Sequence, residues 1–164
     1  MSARQRTGMA AALGLATVAL LVPTFAIPSV PLAAQENARR LVWQPFDPDA
    51  IRRHVAEGKV VLVDVTAAWC LTCKVNDAAV LDRAPIADLL RSPDMVAMRA
   101  DWTRPEPRVT AYLQSFGRYG VPLNVLYGPG RPDGELLPEL LTSSVVLEAV
   151  SRVSGSTGGR EAAR

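Results

Sequence analysis

At 164 residues and 49% apolar content, the chain has room for one modest globular domain plus appendages. Its formal charge of +2 comes from Arg4 and Arg6; from Gln35 onward 16 basic and 16 acidic residues balance, and no basic stripe interleaved with aromatics occurs. That excludes an electrostatic nucleic-acid binder, and two cysteines with a lone histidine, His54, are too few for a closed zinc site.

The chain opens on a positive end, Arg4 and Arg6, followed by an uncharged stretch from Thr7 to Gln35 centred on the apolar run Ala12 to Val22. That pattern means export, with the positive end left in the cytoplasm. The apolar part, Gly8 to Ile27, approaches the ~20 residues that span a bilayer, which favours a retained anchor. Pro23, Pro28 and the small-residue site Leu32-Ala33-Ala34 argue instead for a cleaved signal peptide. Either way the domain is expected in an extracytoplasmic compartment, where disulfides persist. The expected organisation is a signal peptide or anchor over 1–34, a linker over 35–42, a folded domain over 43–153 and a disordered polar tail over 154–164.

Within the domain, Leu41-Val42-Trp43 reads as a short edge strand ended by Pro45. Asp47-Pro48 gives an N-cap and a first-turn proline for a helix through Ile51, His54 and Val55 that stops at Gly58. Lys59 to Thr66 is a continuous apolar run with one acid, Asp64, and predicts a central parallel strand. A helix is predicted from Cys70 to Leu81, with Val75, Ala78, Ala79 and Leu81 on its core side. Pro85 opens a second short helix or kinks the first, carrying Ile86, Leu89 and Leu90. Met95 to Ala100 predicts a strand, and Pro107 to Phe116 a helix with Val109, Tyr112 and Leu113 inward, ended by Gly117. Val121 to Tyr127 is a strand, Gly128 to Gly134 a turn-rich segment, and Leu136 to Leu141 the returning hairpin strand. Ser143 to Val153 is the last helix. Alternating strands and helices followed by a hairpin predict an α/β thioredoxin-like fold, a mixed central sheet with helices on both faces.

The chemistry concentrates at Trp69-Cys70-Leu71-Thr72-Cys73-Lys74, directly after the central strand. A strand that delivers Cys-x-x-Cys to the start of a helix is the layout of a dithiol redox site. The helix N-terminus stabilises a thiolate, and the two-residue spacer brings the second sulfur within bonding reach. A purely structural disulfide is the weaker reading, because so short a loop removes little unfolded-chain entropy.

Three segments carry a family resemblance: Val63 to Asn76, Ala100-Asp101-Trp102-Thr103, and Phe116-Gly117-Arg118-Tyr119-Gly120-Val121-Pro122. Together they resemble the C-terminal thioredoxin-like domain of the thiol:disulfide interchange protein DsbD family, in one register from Trp43 to Val153. The resemblance implies a protein-disulfide reductase in the bacterial periplasm, without cofactor or metal, that takes electrons from a membrane-embedded donor and delivers them to disulfide-bearing proteins. This sequence contains neither the family's multi-span membrane domain nor its N-terminal domain, so a separate donor protein is expected. The family's usual acid before Trp69 is Ala68 here, which should favour the thiolate slightly.

The expected roles follow residue by residue. Cys70, at the helix start, should be the more exposed, attacking thiol, and Cys73 the buried resolving thiol. Asp64 matches the family's buried acid, which implies proton transfer with Cys73; the competing reading is a structural acid paired with Arg99 on the neighbouring strand. Asp77, one turn beyond Cys73, is either a tuning acid or a solvated surface charge. Pro122 matches the cis-proline facing the cysteines, a bond that would turn the Val121 backbone towards a substrate chain. Trp69 is a lid over the active surface or a packing aromatic. His54 and Asp101-Trp102-Thr103 carry no derived chemistry.

A disulfide reductase is therefore the leading expectation. Reduction of haem-site cysteines in cytochrome c maturation is a variant of the same chemistry. A non-catalytic copper(I) carrier or chaperone module is the alternative from another class, although no histidine follows Cys73. An oxidase is disfavoured, since oxidising relatives carry a helical insertion that the Cys73-to-Pro122 segment has no room for.

Overall fold

The computed structural model describes residues 41–155. The expected export segment, most of the linker and most of the polar tail lie outside the described residues. Among the described residues no helix is long and apolar enough to cross a membrane.

Five strands, β1 (Gln44–Pro45), β2 (Val60–Thr66), β3 (Met95–Asp101), β4 (Leu123–Gly128) and β5 (Arg131–Leu136), form one mixed sheet in the order β1-β3-β2-β4-β5. Strands β1, β3 and β2 are parallel, whereas β4 runs antiparallel to β2 and to β5. The helices are α1 (Pro48–Ala56), α2 (Leu71–Asn76), α3 (Ile86–Leu90), α4 (Pro107–Ser115) and α5 (Ser143–Val153). A wide π-helical turn, Asp77–Leu81, extends α2 without a break.

Local signals explain most of these elements. Asp47 caps α1 by accepting the Asp49 N–H, and Pro48 occupies the first turn, where its missing N–H removes no bond. Strand β2 is buried along its whole length except at Thr66, as an apolar run covered on both faces must be. Its side chains alternate. Val61, Val63 and Val65 pack with Ile51, Val109 and Leu113 beneath α1 and α4. Val60 and Leu62 pack with Val80, Leu81, Ile86, Val146 and Ala149 beneath the cysteine helix, α3 and α5.

Three expectations need correction. The edge strand is Gln44–Pro45, not Leu41–Trp43. An edge position tolerates a proline with no ladder donor, and Trp43 instead lays its ring on the Arg99 guanidinium, 3.9 Å from the centroid. The returning hairpin strand is Arg131–Leu136, not Leu136–Leu141, because the turn is only Pro129-Gly130. Gly134 is a strand residue at φ +89°, where a Cβ would stand 2.6 Å from the Tyr127 ring; as a turn marker it misleads.

The core side of the cysteine helix is also misassigned in part: Leu81 is buried as expected, but its three companions are not. Cys73, Asn76, Val80 and Leu81 are buried, whereas Val75 is 44% exposed and Ala78 and Ala79 face solvent. The inward face is fixed by Asn76. Its side-chain amide donates to the Glu139 carbonyl at 2.8 Å and accepts the Leu141 N–H at 3.0 Å, stapling the helix to the segment after β5. The wide turn that follows then carries Val80 and Leu81 inward.

Candidate redox site

The loop from β2 to α2 is shaped by the segment that follows β3. The Ala68 N–H donates to Thr103 Oγ1 at 2.8 Å, and the Trp69 indole N–H donates to the Thr103 carbonyl at 3.2 Å. Trp69 and Trp102 lie with ring centroids 6.2 Å apart, and Trp102 is itself fixed by its N–H bond to Thr110. Trp69 stays 60% exposed, so it lines the rim of the site rather than sealing it. The Asp101-Trp102-Thr103 segment thus has a definable task, holding the loop that presents the cysteines. No local pattern in the sequence signals it, because the bonds join residues 34 and 35 positions apart.

Cys70 is the N-cap of α2, with extended backbone angles (φ −81°, ψ 104°). Its Sγ accepts the Cys73 N–H at 3.1 Å, the position a serine or aspartate oxygen takes at an ordinary helix start. Charge on that sulfur is favoured by the unpaired N–H groups and the helix dipole. Cys70 and Cys73 are joined as a disulfide, S–S 2.06 Å, with their Cα atoms 5.3 Å apart. The expected contrast in exposure is not found in this oxidised state, since Cys70 is 5% and Cys73 3% exposed. What separates them is position: Cys70 is the cap, and Cys73 lies inside the first turn.

Val121 packs against Ala67, Cys70 and Cys73, and the Val121–Pro122 peptide is cis. Strand β4 begins only at Leu123, which leaves Val121 ahead of the sheet ladder.

Asp64 is 3% exposed and, alternating with Leu62, faces the cysteine-helix side of β2. Arg99, its register partner on β3, donates through Nε to Asp64 Oδ2 at 2.7 Å. The same guanidinium donates through Nη2 to Asp77 Oδ1 at 2.5 Å. The structural pairing considered for Asp64 is therefore real, and Asp77 is not a solvated charge but a half-buried partner of the same arginine. Burial pushes the Asp64 carboxyl up to about 6; Arg99 opposes the shift and Asp77 adds to it. Asp77 is raised for the same first reason, with Arg99 again opposing. On the other side of Asp64 stands Asn124 of β4, 1% exposed, whose amide Nδ2 and Oδ1 find no hydrogen-bond partner among the described residues.

Sequence reasoning placed Arg99 only as a possible counter-charge and did not single out Asn124. Each is a polar residue inside an apolar strand, which is a usable signal; that both flank Asp64 is knowable only from the strand order. His54, on α1 across the sheet, sits 3.4 Å from Glu57 through Nδ1 and has no part in the site.

A family model described as thioredoxin-like matches residues 42–129. The chain belongs to the thioredoxin-like family. It is 28% identical over 112 residues to the thiol:disulfide interchange protein DsbD of Ralstonia nicotianae, covering 65% of this chain and 18% of that protein. It is 33% identical over 73 residues to DsbD 1 of Pseudomonas aeruginosa, covering 44% and 12%. The chain thus spans less than a fifth of the length of these curated relatives. Among solved structures, the oxidised C-terminal domain of DsbD from Neisseria meningitidis superposes with a TM-score of 0.52 at 24% identity, covering 64% of this chain and 90% of that one. A thioredoxin from Thermus thermophilus gives 0.52 at 22%, covering 72% and 90%. These two likenesses show the fold. The Cys70–Cys73 pair on a DsbD-like thioredoxin domain points to thiol–disulfide oxidoreductase activity.

Proposed function

We propose that the domain is a periplasmic protein-disulfide reductase, held at the inner membrane or released beside it by its N-terminal segment. The observation that carries this reading is the Cys70–Cys73 disulfide, closed across the first turn of α2 with the Cys70 sulfur as the helix cap. Similarity to DsbD proteins supports the periplasmic setting and a membrane-embedded electron donor. Trp69, Leu71 and Tyr119, 60%, 75% and 81% exposed, flank the cysteines or the Val121 approach in sequence and give a protein substrate an apolar surface to dock on.

In the reaction, the Cys70 thiolate attacks one sulfur of a substrate disulfide and expels the other as a thiolate, which takes a proton from water. Cys73 gives its proton to the Asp64 carboxylate and attacks Cys70 Sγ. The Cys70–substrate bond breaks, and the second substrate thiolate leaves and is protonated. The substrate gains two electrons and the domain becomes the disulfide, which the donor reduces again. The Val121 backbone, ahead of the ladder, offers a strand-like contact to the substrate chain.

Cys70→Ser should abolish reduction of insulin disulfides. Cys73→Ser should retain the first attack and accumulate mixed disulfides in the periplasm, whose trapped partners identify donor and substrate by mass spectrometry. Insulin reduction that survives in Cys70→Ser would sink the proposal.

A further inference from the structure

The turn that carries Cys70 is held from outside by one residue. Ala67 to Cys70 form a tight turn between β2 and α2, closed by the Cys70 N–H donating to the Ala67 carbonyl at 3.0 Å. Its two central residues both bond to Thr103: the Ala68 N–H donates to Oγ1 at 2.8 Å, and the Trp69 indole N–H donates to the carbonyl at 3.2 Å. Thr103 is fixed in turn. Its N–H donates to Asp101 Oδ1 at 2.7 Å, and its side chain and backbone together hold the Asp101 carboxyl below the usual carboxylate range. With the hydroxyl proton directed at Asp101, the Oγ1 lone pairs are left to accept from Ala68. The neighbouring Trp102 N–H donates to the Thr66 carbonyl at 2.7 Å, which ties the same segment to the end of β2. These bonds and the Trp102 ring, 6.2 Å away, hold a Trp69 side chain that is otherwise 60% exposed.

We infer that Thr103 is a positioning residue that sets substrate choice: by fixing Trp69 before encounter, it favours disulfides presented by proteins over small soluble ones. The inference rests on the reductase reading given above. A protein that brings a disulfide to Cys70 lies across the rim, where Trp69 and Leu71 stand exposed on either side of that cysteine in sequence. A loose indole would have to be ordered at each encounter, and that cost weakens binding; an indole already bonded to Thr103 has no such cost. A small disulfide reaches the Cys70 sulfur without covering the rim, so it gains less from the fixed ring. The exchange itself is unchanged: two electrons pass from the Cys70–Cys73 dithiol to the substrate disulfide, and Thr103 moves neither protons nor electrons. Threonine suits the place because its hydroxyl accepts from Ala68 while donating to Asp101; valine, of nearly the same shape, does neither. Without the hydroxyl, the Ala68 N–H and one bond to Asp101 are released, and the turn is no longer held in register with the carbonyl that Trp69 bonds.

The test uses the full chain, reduced, in single turnover with excess insulin or 2-hydroxyethyl disulfide, and follows conversion of the Cys70–Cys73 dithiol to the disulfide. Thr103→Val should lower the ratio of the insulin rate to the hydroxyethyl disulfide rate by roughly three- to tenfold, the fold-change for ordering one side chain on binding. The loss should lie in the insulin concentration that gives half the maximal rate, more than in the rate at saturation. Thr103→Ser keeps the acceptor oxygen and should hold the ratio near wild type. A ratio unmoved in folded Thr103→Val overturns the inference. So does a Thr103→Ser that loses as much as Thr103→Val, since the methyl rather than the oxygen would then matter. If Thr103→Val does not fold, Asp101→Ala, at the exposed end of β3, should lower the ratio in the same direction, and an unmoved ratio there overturns the inference instead. Cys70→Ser separates the two levels. If it loses both substrates while Thr103→Val leaves the ratio in place, only the role of Thr103 falls. If Cys70→Ser still reduces either substrate, the reductase reading falls and takes Thr103 with it.

Discussion

The two faces of the sheet are built to different rules. Under α1 and α4 the buried face carries no charge: Val61, Val63, Val65, Met98, Ala100, Val125 and their helical partners pack together, and the Tyr112 and Tyr127 hydroxyls among them bond each other. On the opposite face, at the level of Asp64, the neighbouring strands contribute Arg99, Asp64 and Asn124 side by side. Burying a carboxylate with a raised pKa and an amide without partners opposes folding. Both faces bury an apolar core, but the second gives up some of its stability at the level of Asp64. Stability and chemistry are thus segregated by strand alternation, since each residue of β2 that points to one face leaves its neighbours pointing to the other.

The largest effect expected is on the apolar face. Leu113, 1% exposed on α4, should cost about 3 kcal/mol when replaced by alanine, through lost burial and the cavity left behind. Urea unfolding reads this directly, and insulin reduction by the folded variant should keep the wild-type rate. A slower reduction by folded Leu113→Ala would break the division of labour between the faces.

That face was also the more legible one. Val109, Tyr112 and Leu113 follow from helical spacing, the Asp47 cap from its proline neighbour, and β2 from an unbroken apolar run. Such signals are local, and local signals survive folding unchanged. The cysteine face was legible at Cys70, Cys73 and Asp64, where the motif and the odd acid announce themselves. It was not legible at the outward-facing Val75, Ala78 and Ala79, because the phase of that helix is set by Asn76 bonding to residues 63 and 65 positions away. The Arg99 bridge hides for a similar reason. It joins Asp64 to Asp77 through a strand that lies beside β2 only once the sheet has formed.

A second prediction sharpens the cost of the polar face. Asp64 has a native pKa of about 6 against an ordinary value of 3.8. The native state therefore binds more protons than the unfolded state between those values, and this group's contribution to stability falls as pH rises through that window. Above about pH 6 the full penalty is present, and below about pH 4 it is gone. Asp64→Asn should accordingly stabilise the oxidised protein by about 2 kcal/mol at pH 7.5, less than the bare pKa shift implies because Arg99 keeps only one partner. The difference between variant and wild type, followed by denaturation at several pH values, should shrink towards zero near pH 4. A difference that grows on acidification would mean that Arg99 outweighs burial and that Asp64 stabilises the fold.

The smallest effect belongs to Asn124. Leucine has nearly the same branching, removes both unpartnered polar atoms, and extends the apolar contacts made by Leu126 on the same face of β4. If the amide is unsatisfied in solution, Asn124→Leu should raise stability by about 1 kcal/mol, the lower end of the penalty for a buried polar group without a bond. It adds no charge and removes none, so unlike Asp64→Asn its gain should be flat between pH 4 and 8. A loss of stability instead would show that the amide is hydrogen-bonded in the folded protein. The row across the sheet would then be a satisfied network, and the cost of this face would rest on Asp64 alone.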